Sequence, residues 1–383
     1  MGTMMDQVPN TTLTAYDHYR NVRFFGSLNG LRCLCIGMVL WHHSPLLGSL
    51  EAPPKFLTRG FLGVDFFFVL SGFLITTLLL REESRTRAIS LKDFYLRRAL
   101  RIIPAYFLLV TAMSLYWVWY KGMDELAPLV PYYYLFLANM LIGDIPMLTV
   151  TWSLSVEEQY YLVWPLLLSL LSPRLRIPAL LLLLGLCVAT ATGVMAAMGF
   201  SPIRTEHAVW ALPAASFGAI LCGTLTAVLL HDPRGFRMVY ALCGARTAPV
   251  CLFAVLVVVL VLLPADLTGL PFLLVHVTMA LCLAALVVRE DHRLAPLFSW
   301  APVARIGEIS YGIYLYHLIA RHVGVEGAAV LGLPPALAET IATVIFVAGA
   351  ILIAEISFRT LERFFLSLKP GPKVRRGDRP VAR

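Results

Sequence analysis

Charge is scarce in this chain. Only 14% of its 383 residues are Asp, Glu, Lys or Arg, whereas 59% are hydrophobic. With a mean hydropathy of +0.77, it carries far more apolar surface than a soluble protein of this size can bury, which excludes a water-soluble fold. Paired cysteines are missing too. The seven cysteines, at 33, 35, 187, 222, 243, 251 and 282, form no Cys-x-x-Cys, and most sit in apolar runs. They read as small hydrophobes, and a disulfide framework is excluded. The nine histidines have no His-Glu-x-x-His or comparable spacing, so no metal is expected. Residues 1–27 lack an apolar core followed by a small-residue cleavage site, so no cleaved signal peptide is expected. Neither a tandem repeat nor a low-complexity linker breaks the chain.

What is present is a series of apolar runs. A spanning helix needs about 20 mainly apolar residues. That rule predicts an all-α polytopic bundle of ten membrane helices near 31–50, 61–81, 102–120, 150–171, 177–198, 208–230, 249–264, 270–288, 302–322 and 338–360. The net charge of +8 fits topology better than nucleic acid, and no nucleic-acid partner is expected. With both termini in the cytoplasm, only Lys55, Arg59, Lys121, Arg204 and Arg321 fall outside, and the remaining lysines and arginines lie on or near the inner side. The aromatic-rich stretch 128–143 is short for a span, and counting it would invert every later loop, so it reads as interfacial or re-entrant. Residues 1–27 are expected to form a cytoplasmic tail, 28–365 the membrane domain, and 366–383 a basic cytoplasmic tail held near anionic lipid.

Several polar groups interrupt these runs, and at membrane depth such groups mark function. Arg32 and His43 are eleven positions apart, about three turns or 16 Å along one helix and nearly on one face. Asp65 stands in Gly63-Val64-Asp65-Phe66-Phe67, ahead of Ser71-Gly72-Phe73; Glu157 and Glu158 open a later span. Adjacent residues point about 100° apart on a helix, so the two glutamates cannot share a face. Counting along each helix puts His43 about 18 Å from the inner edge and Asp65 and Glu157 roughly 6 to 11 Å from the outer edge. In a core of about 30 Å the three should meet in the outer half. A histidine beside carboxylates can be oriented and kept basic, as a general base requires. Ser90 and Asp93 resemble a capping box opening a helix with Arg97, Arg98 and Arg101 at the inner surface. Those guanidiniums suit either the phosphates of a soluble anion or ordinary lipid headgroups and topology. Intramembrane His, Asp and Glu also occur in proton-coupled transporters and flippases, although no inverted repeat with paired broken helices is visible.

These motifs together resemble the acyltransferase-3 family of integral-membrane O-acyltransferases. The resemblance rests on Arg32 to His43, Gly63 to Phe67 with Ser71-Gly72-Phe73, Phe94-Tyr95 to Pro104 with its arginines, Trp152-Ser153-Leu154 through Glu157, and Ser310-Tyr311 to His317, and it covers nearly the whole chain through Phe365. It departs from the pattern at Asn29, where many members have Asp, and at Arg363-Phe364, where Lys-Pro is common. The resemblance implies transfer of an acyl group, commonly acetyl, from cytoplasmic acyl-CoA to a hydroxyl of a carbohydrate or related molecule, in a bacterial plasma membrane. Carried over by position, His43 is the expected catalytic histidine with Asp65 or Glu157 in support. Arg32, Arg97, Arg98 and Arg101 are expected to bind the donor, and Ser71, Glu158, Tyr160 and His317 the substrate. A buried arginine or a donor near Ser71 is the expected oxyanion partner. With no hydrolase-like domain expected after the last span, the acceptor stays open among O-antigen, exopolysaccharide, lipid-linked sugar and macrolide or oligosaccharide.

Overall fold

A computed structural model describes residues 10–213, 215–264 and 267–369. Most of the basic tail expected at 366–383, including Lys373, Arg375, Arg376, Arg379 and Arg383, lies outside the described residues. Among the described residues the regular structure is helical apart from one short hairpin, Ile203–Arg204 against Val209–Trp210. In chain order the principal helices are α1 (Asn10–Asn21), α2 (Ser27–His42), α3 (Leu62–Thr86), α4 (Leu91–Ser114), α5 (Thr151–Leu170), α6 (Pro173–Ala191) and α7 (Ala215–His231). They are followed by α8 (Pro233–Cys243), α9 (Ala248–Leu262), α10 (Gly269–Val287), α11 (Ala301–Glu308), α12 (Ser310–Val330) and α13 (Pro335–Ser357).

Among the described residues, five helices are long and apolar enough to cross a membrane: α3, α4 with its continuation to Tyr120, α6, α10, and α13 with its continuation to Ser367. A sixth is available if α8 and α9, which meet at 74°, act as one span. The outward faces carry leucines that a soluble protein would bury. Leu182 and Leu262 are each 75% exposed, which is the inside-out pattern of a surface solvated by lipid. All ten stretches expected from the sequence overlie these helices. Two of the helices bearing polar groups are less typical: α2 has 16 residues, about 24 Å and short of a full hydrocarbon core, and α5 carries Glu157 and Glu158. Residues 128–143 form no continuous helix but a series of short turns, with Tyr106 stacked on Phe136 and its hydroxyl donating to the Tyr133 carbonyl.

The close packing of α3 places the site. Added side-chain atoms at Gly60 and Gly63 would strike the Met38 and Cys35 carbonyls of α2, so the antiparallel pair meets backbone to backbone. Gly72 meets the Ile220 carbonyl, and Gly223 of α7 meets that of Val69, in the same way on the other side. The first helix stops at His42, eight residues before the expected end at 50. Pro45 biases Ser44 to an extended conformation (φ −66°, ψ 131°), and Ser44 then caps the next short turn. His43 is therefore the C-terminal cap of α2, not a residue inside it.

Candidate active site

Five helices converge on a buried cavity of about 340 Å³. From α2, Arg32 forms one wall, its guanidinium donating to the Asn29 side-chain oxygen at 2.7 Å. Asn29 thus supplies an acceptor without a charge. From α3, Ser71 Oγ donates to Glu157 Oε1 of α5 at 2.6 Å. Tyr161, one turn along α5 from Glu157, shares its face, and the Arg98 guanidinium of α4 lies over the Tyr161 ring at 5.2 Å. Arg98 and Arg101 both stand close enough to act on the Glu157 charge. From α12, Tyr311 donates to the Ile102 carbonyl at 2.9 Å, and Tyr314 hydrogen-bonds Ser153 Oγ at 2.7 Å. The Glu157 carboxylate, the guanidiniums of Arg23, Arg32, Arg81, Arg98 and Arg101, and the hydroxyls of Ser71, Ser153, Tyr161, Tyr311 and Tyr314 thus line one chamber together with apolar side chains.

This chamber adjoins a larger mouth of about 1080 Å³. The two have Arg23, Arg81, Arg98 and Arg101 in common, and Arg97 and Lys369 line the mouth. Ser90 Oγ caps the helix that delivers these arginines, accepting from the Asp93 amide at 3.4 Å, as the sequence pattern predicts. Lys369 reports the local field. Burial first, and then the positive charges of Arg101, Arg98 and Arg97, push its ammonium down to about 8. Arg97 is turned toward Glu82, 3.6 Å away at the rim.

His43 lies elsewhere. It does not line the chamber; its ring packs against His317 with centroids 4.8 Å apart and against His42 at 5.0 Å. Tyr314 is the partition, lining the chamber while its ring stands 5.6 Å from that of His317. The Nδ1 of His43 is 3.0 Å from the Val39 carbonyl, and because a carbonyl can only accept, Nδ1 carries the hydrogen and Nε2 the lone pair. The Arg321 guanidinium holds the His43 carbonyl at 2.8 Å.

The three-way meeting of His43, Asp65 and Glu157 expected from depth is not what the structure shows. The contacts of Gly60 with Met38 and His42 and of Gly63 with Cys35 fix the register of α2 and α3. They put Asp65 opposite residue 35, about 12 Å below His43. There its carboxylate meets His276 of α10, with Nε2 at 3.2 Å and both side chains buried. Glu157 faces the arginines instead. Of the remaining candidates, Glu158 is turned away with one carboxylate oxygen buried and unpartnered. Tyr160 shares hydrogen bonds with Thr224 and Thr76 in the core, where the Trp164 indole also donates to Thr76. Sequence reasoning gave no role to Tyr161, Tyr314, Ser153 or His276. For Tyr161 the signal was available as its i+4 spacing from Glu157, but the others depend on partners far along the chain. Among the described residues, no three His, Cys, Asp or Glu side chains are grouped to hold a metal.

With the arginine-lined chamber and the histidine cluster placed, comparison with known proteins decides the family. The sequence model of the acyltransferase domain matches residues 25–355. The chain belongs to this acyltransferase-3 family. The chain is 28% identical to a peptidoglycan O-acetyltransferase of Listeria monocytogenes over 89% of this chain and 55% of that relative. It is 27% identical to a Bacillus subtilis protein provisionally named a peptidoglycan O-acetyltransferase, over 79% and 49%. A Staphylococcus aureus protein provisionally named an O-acetyltransferase is also 27% identical, over 79% and 51%. The chain spans about half the length of these curated relatives. No solved structure matches it. The matched region contains every residue of the chamber except Arg23 and Phe24, together with the histidine cluster.

Proposed function

We propose that this chain is a multi-pass O-acyltransferase of the bacterial plasma membrane. It moves an acyl group, commonly acetyl, from cytoplasmic acyl-CoA to a hydroxyl of a carbohydrate or glycan precursor. One observation carries this reading: an arginine-rich mouth adjoins a chamber of mixed polar and apolar lining, with Arg23, Arg81, Arg98 and Arg101 lining both. The mouth suits the phosphates of a nucleotide-linked thioester, since guanidinium forks match phosphate oxygens in geometry and charge. The narrower chamber suits its slender, amide-bearing arm. The relatives' names favour a glycan acceptor, and their organisms favour a bacterial plasma membrane. Ten spans with both termini cytoplasmic accord with this arrangement, because Arg97, Arg98, Arg101 and Lys369 then gather at the inner face.

In this reading Arg98 and Arg101 hold the donor's phosphates, and Arg32 guides the arm inward. Glu157, fixed by Ser71, keeps the guanidiniums apart and in place. His43 Nε2 takes the proton of the acceptor hydroxyl as its oxygen bonds to the acyl carbon. As the carbon–sulfur bond breaks, His43 returns that proton to the thiolate, which leaves as the free thiol. Asp65, paired with His276, secures α3 against α10. The test is incubation of the purified full chain with labelled acetyl-CoA and bacterial membranes. An acyltransferase releases free CoA and deposits alkali-labile label on the glycan fraction. A transporter or flippase does neither, and that result would overturn the proposal.

A further inference from the structure

His317 is a fully buried histidine that the proposed chemistry leaves unused. Its side chain is fully buried. Its Nδ1 is 2.6 Å from the Tyr314 carbonyl, so Nδ1 carries the hydrogen and Nε2 the lone pair. That Nε2 has no hydrogen-bond partner among the described residues. A buried acceptor left open costs free energy comparable to a lost hydrogen bond. Phe346 of α13 and Tyr314 pack their rings around His317, and Phe346 offers no donor. The charged and titratable groups facing this pair are His42 from α2 and Arg321 from α12, and Arg321 is committed to the His43 carbonyl. His43 holds its own Nδ1 hydrogen on Val39, one ring away from His317. Each imidazole is thus locked in the same tautomer by a backbone carbonyl, and each keeps a lone pair.

The two rings meet edge to face, so a neutral His317 lies directly against the ring on which a proton would place positive charge. We infer that His317 is a positioning residue whose neutral ring stabilises the charge that His43 gains with the proton taken from the acceptor hydroxyl. This rests on the assignment of His43 as the base. The proton stays on His43 Nε2 while the acyl carbon–oxygen bond forms and the carbon–sulfur bond breaks, and it then passes to the departing thiolate. Neither ring is altered over the cycle, and no further reactant is needed. The attraction acts only when charge develops on His43, so it favours the transition state over the resting enzyme. Tyr314 ties this arrangement to the chamber, since its backbone orients His317 and its side chain lines the donor's wall.

The test compares His317→Phe, which fills the volume, His317→Gln, which returns an acceptor that does not titrate, and His43→Ala. Each is purified as the full chain and normalised to folded protein by monodisperse elution and by acetyl-CoA binding. Release of CoA and O-acetylation of bacterial membrane glycans are followed from pH 5 to 9. We expect His317→Phe to lower turnover by at least ~tenfold, within the range that proton transfer by a positioned side chain supplies, with KM for acetyl-CoA unchanged. The acid limb of its pH–rate profile should move to lower pH, because the protonated base has lost its partner. His317→Gln should recover part of the turnover and, should the Phe variant fold poorly, carries the comparison alone. Turnover that is unchanged, or that falls with the acid limb fixed or moved to higher pH, overturns the inference. An inactive His43→Ala beside unaffected His317 variants removes this inference and leaves the function standing. An active His43→Ala removes both.

Discussion

Replacing Arg98 by Gln should weaken binding of acetyl-CoA by roughly 10- to 150-fold. The magnitude follows from what the guanidinium does and does not touch. It lies over the Tyr161 ring at 5.2 Å and makes no hydrogen bond to a described carboxylate, and the nearby Glu157 keeps its hydrogen bond from Ser71 and the charge of Arg101 when Arg98 is removed. The folding cost is then limited to a cation–π contact of about 0.5 to 2 kcal/mol. A hydrogen bond to a charged phosphate contributes about 1.5 to 3 kcal/mol, and each 1.4 kcal/mol is about tenfold in affinity. Arg97 is the internal control. It is 3.6 Å from Glu82 with its side chain 40% exposed, and exposed pairs contribute less than about 1 kcal/mol. Arg97→Gln should therefore shift affinity by no more than about fivefold. Equilibrium binding of labelled acetyl-CoA to detergent-purified protein measures both, with a salt series to separate site contacts from diffuse attraction. Equal affinities for the native protein and Arg98→Gln would refute the placement of the phosphates.

Three further consequences can be measured directly. Lys369 is charged below about 8 and loses its charge above it, so acetyl-CoA affinity should weaken a few-fold between pH 7 and pH 9 as the mouth becomes less positive. Lys369→Arg should flatten that dependence, and equal pH slopes in both proteins would exclude a role for Lys369. The Asp65–His276 pair couples α3 to α10, so Asp65→Ala and His276→Ala should each lower the thermal midpoint in detergent. The double variant should lose less than the sum, with a coupling of about 0.6 to 1.7 kcal/mol, and strict additivity would count against the pair. Gly72→Ala should cost about 1 to 3 kcal/mol through its clash with the Ile220 carbonyl, whereas Gly37→Ala, facing open space, should leave the thermal midpoint unchanged.

How far the sequence foretold this structure depends on the range of the interaction concerned. The runs at 61–81 and 102–120 became α3 and α4 because each carries its own helical signal, including the Ser90 cap. Arg32, Arg98 and Arg101 share a wall, as their common position at the inner face suggested. The expected span at 208–230 begins instead in a hairpin, with helix only from Ala215, since Pro213 keeps the preceding chain extended. His43 was placed too deep because a long apolar run outweighed Ser44-Pro45, a local stop signal that stood in plain view. Asp65 and His276 are 211 positions apart, and nothing near either residue announces the other. Depth counting treats a helix as an isolated rod. Which residues meet was decided here by the glycines that set α2 against α3, and by rotation about the axis, neither of which depth contains.

The most direct measurement is acyl transfer by His43→Ala in membranes, at native protein level and with acetyl-CoA binding shown to be intact. Loss of O-acetylation and of CoA release, with donor affinity unchanged, is the predicted outcome, because His43 stands outside the arginine-lined chamber and behind Tyr314. Unchanged turnover, or loss of turnover only in proportion to lost donor binding, would contradict the account.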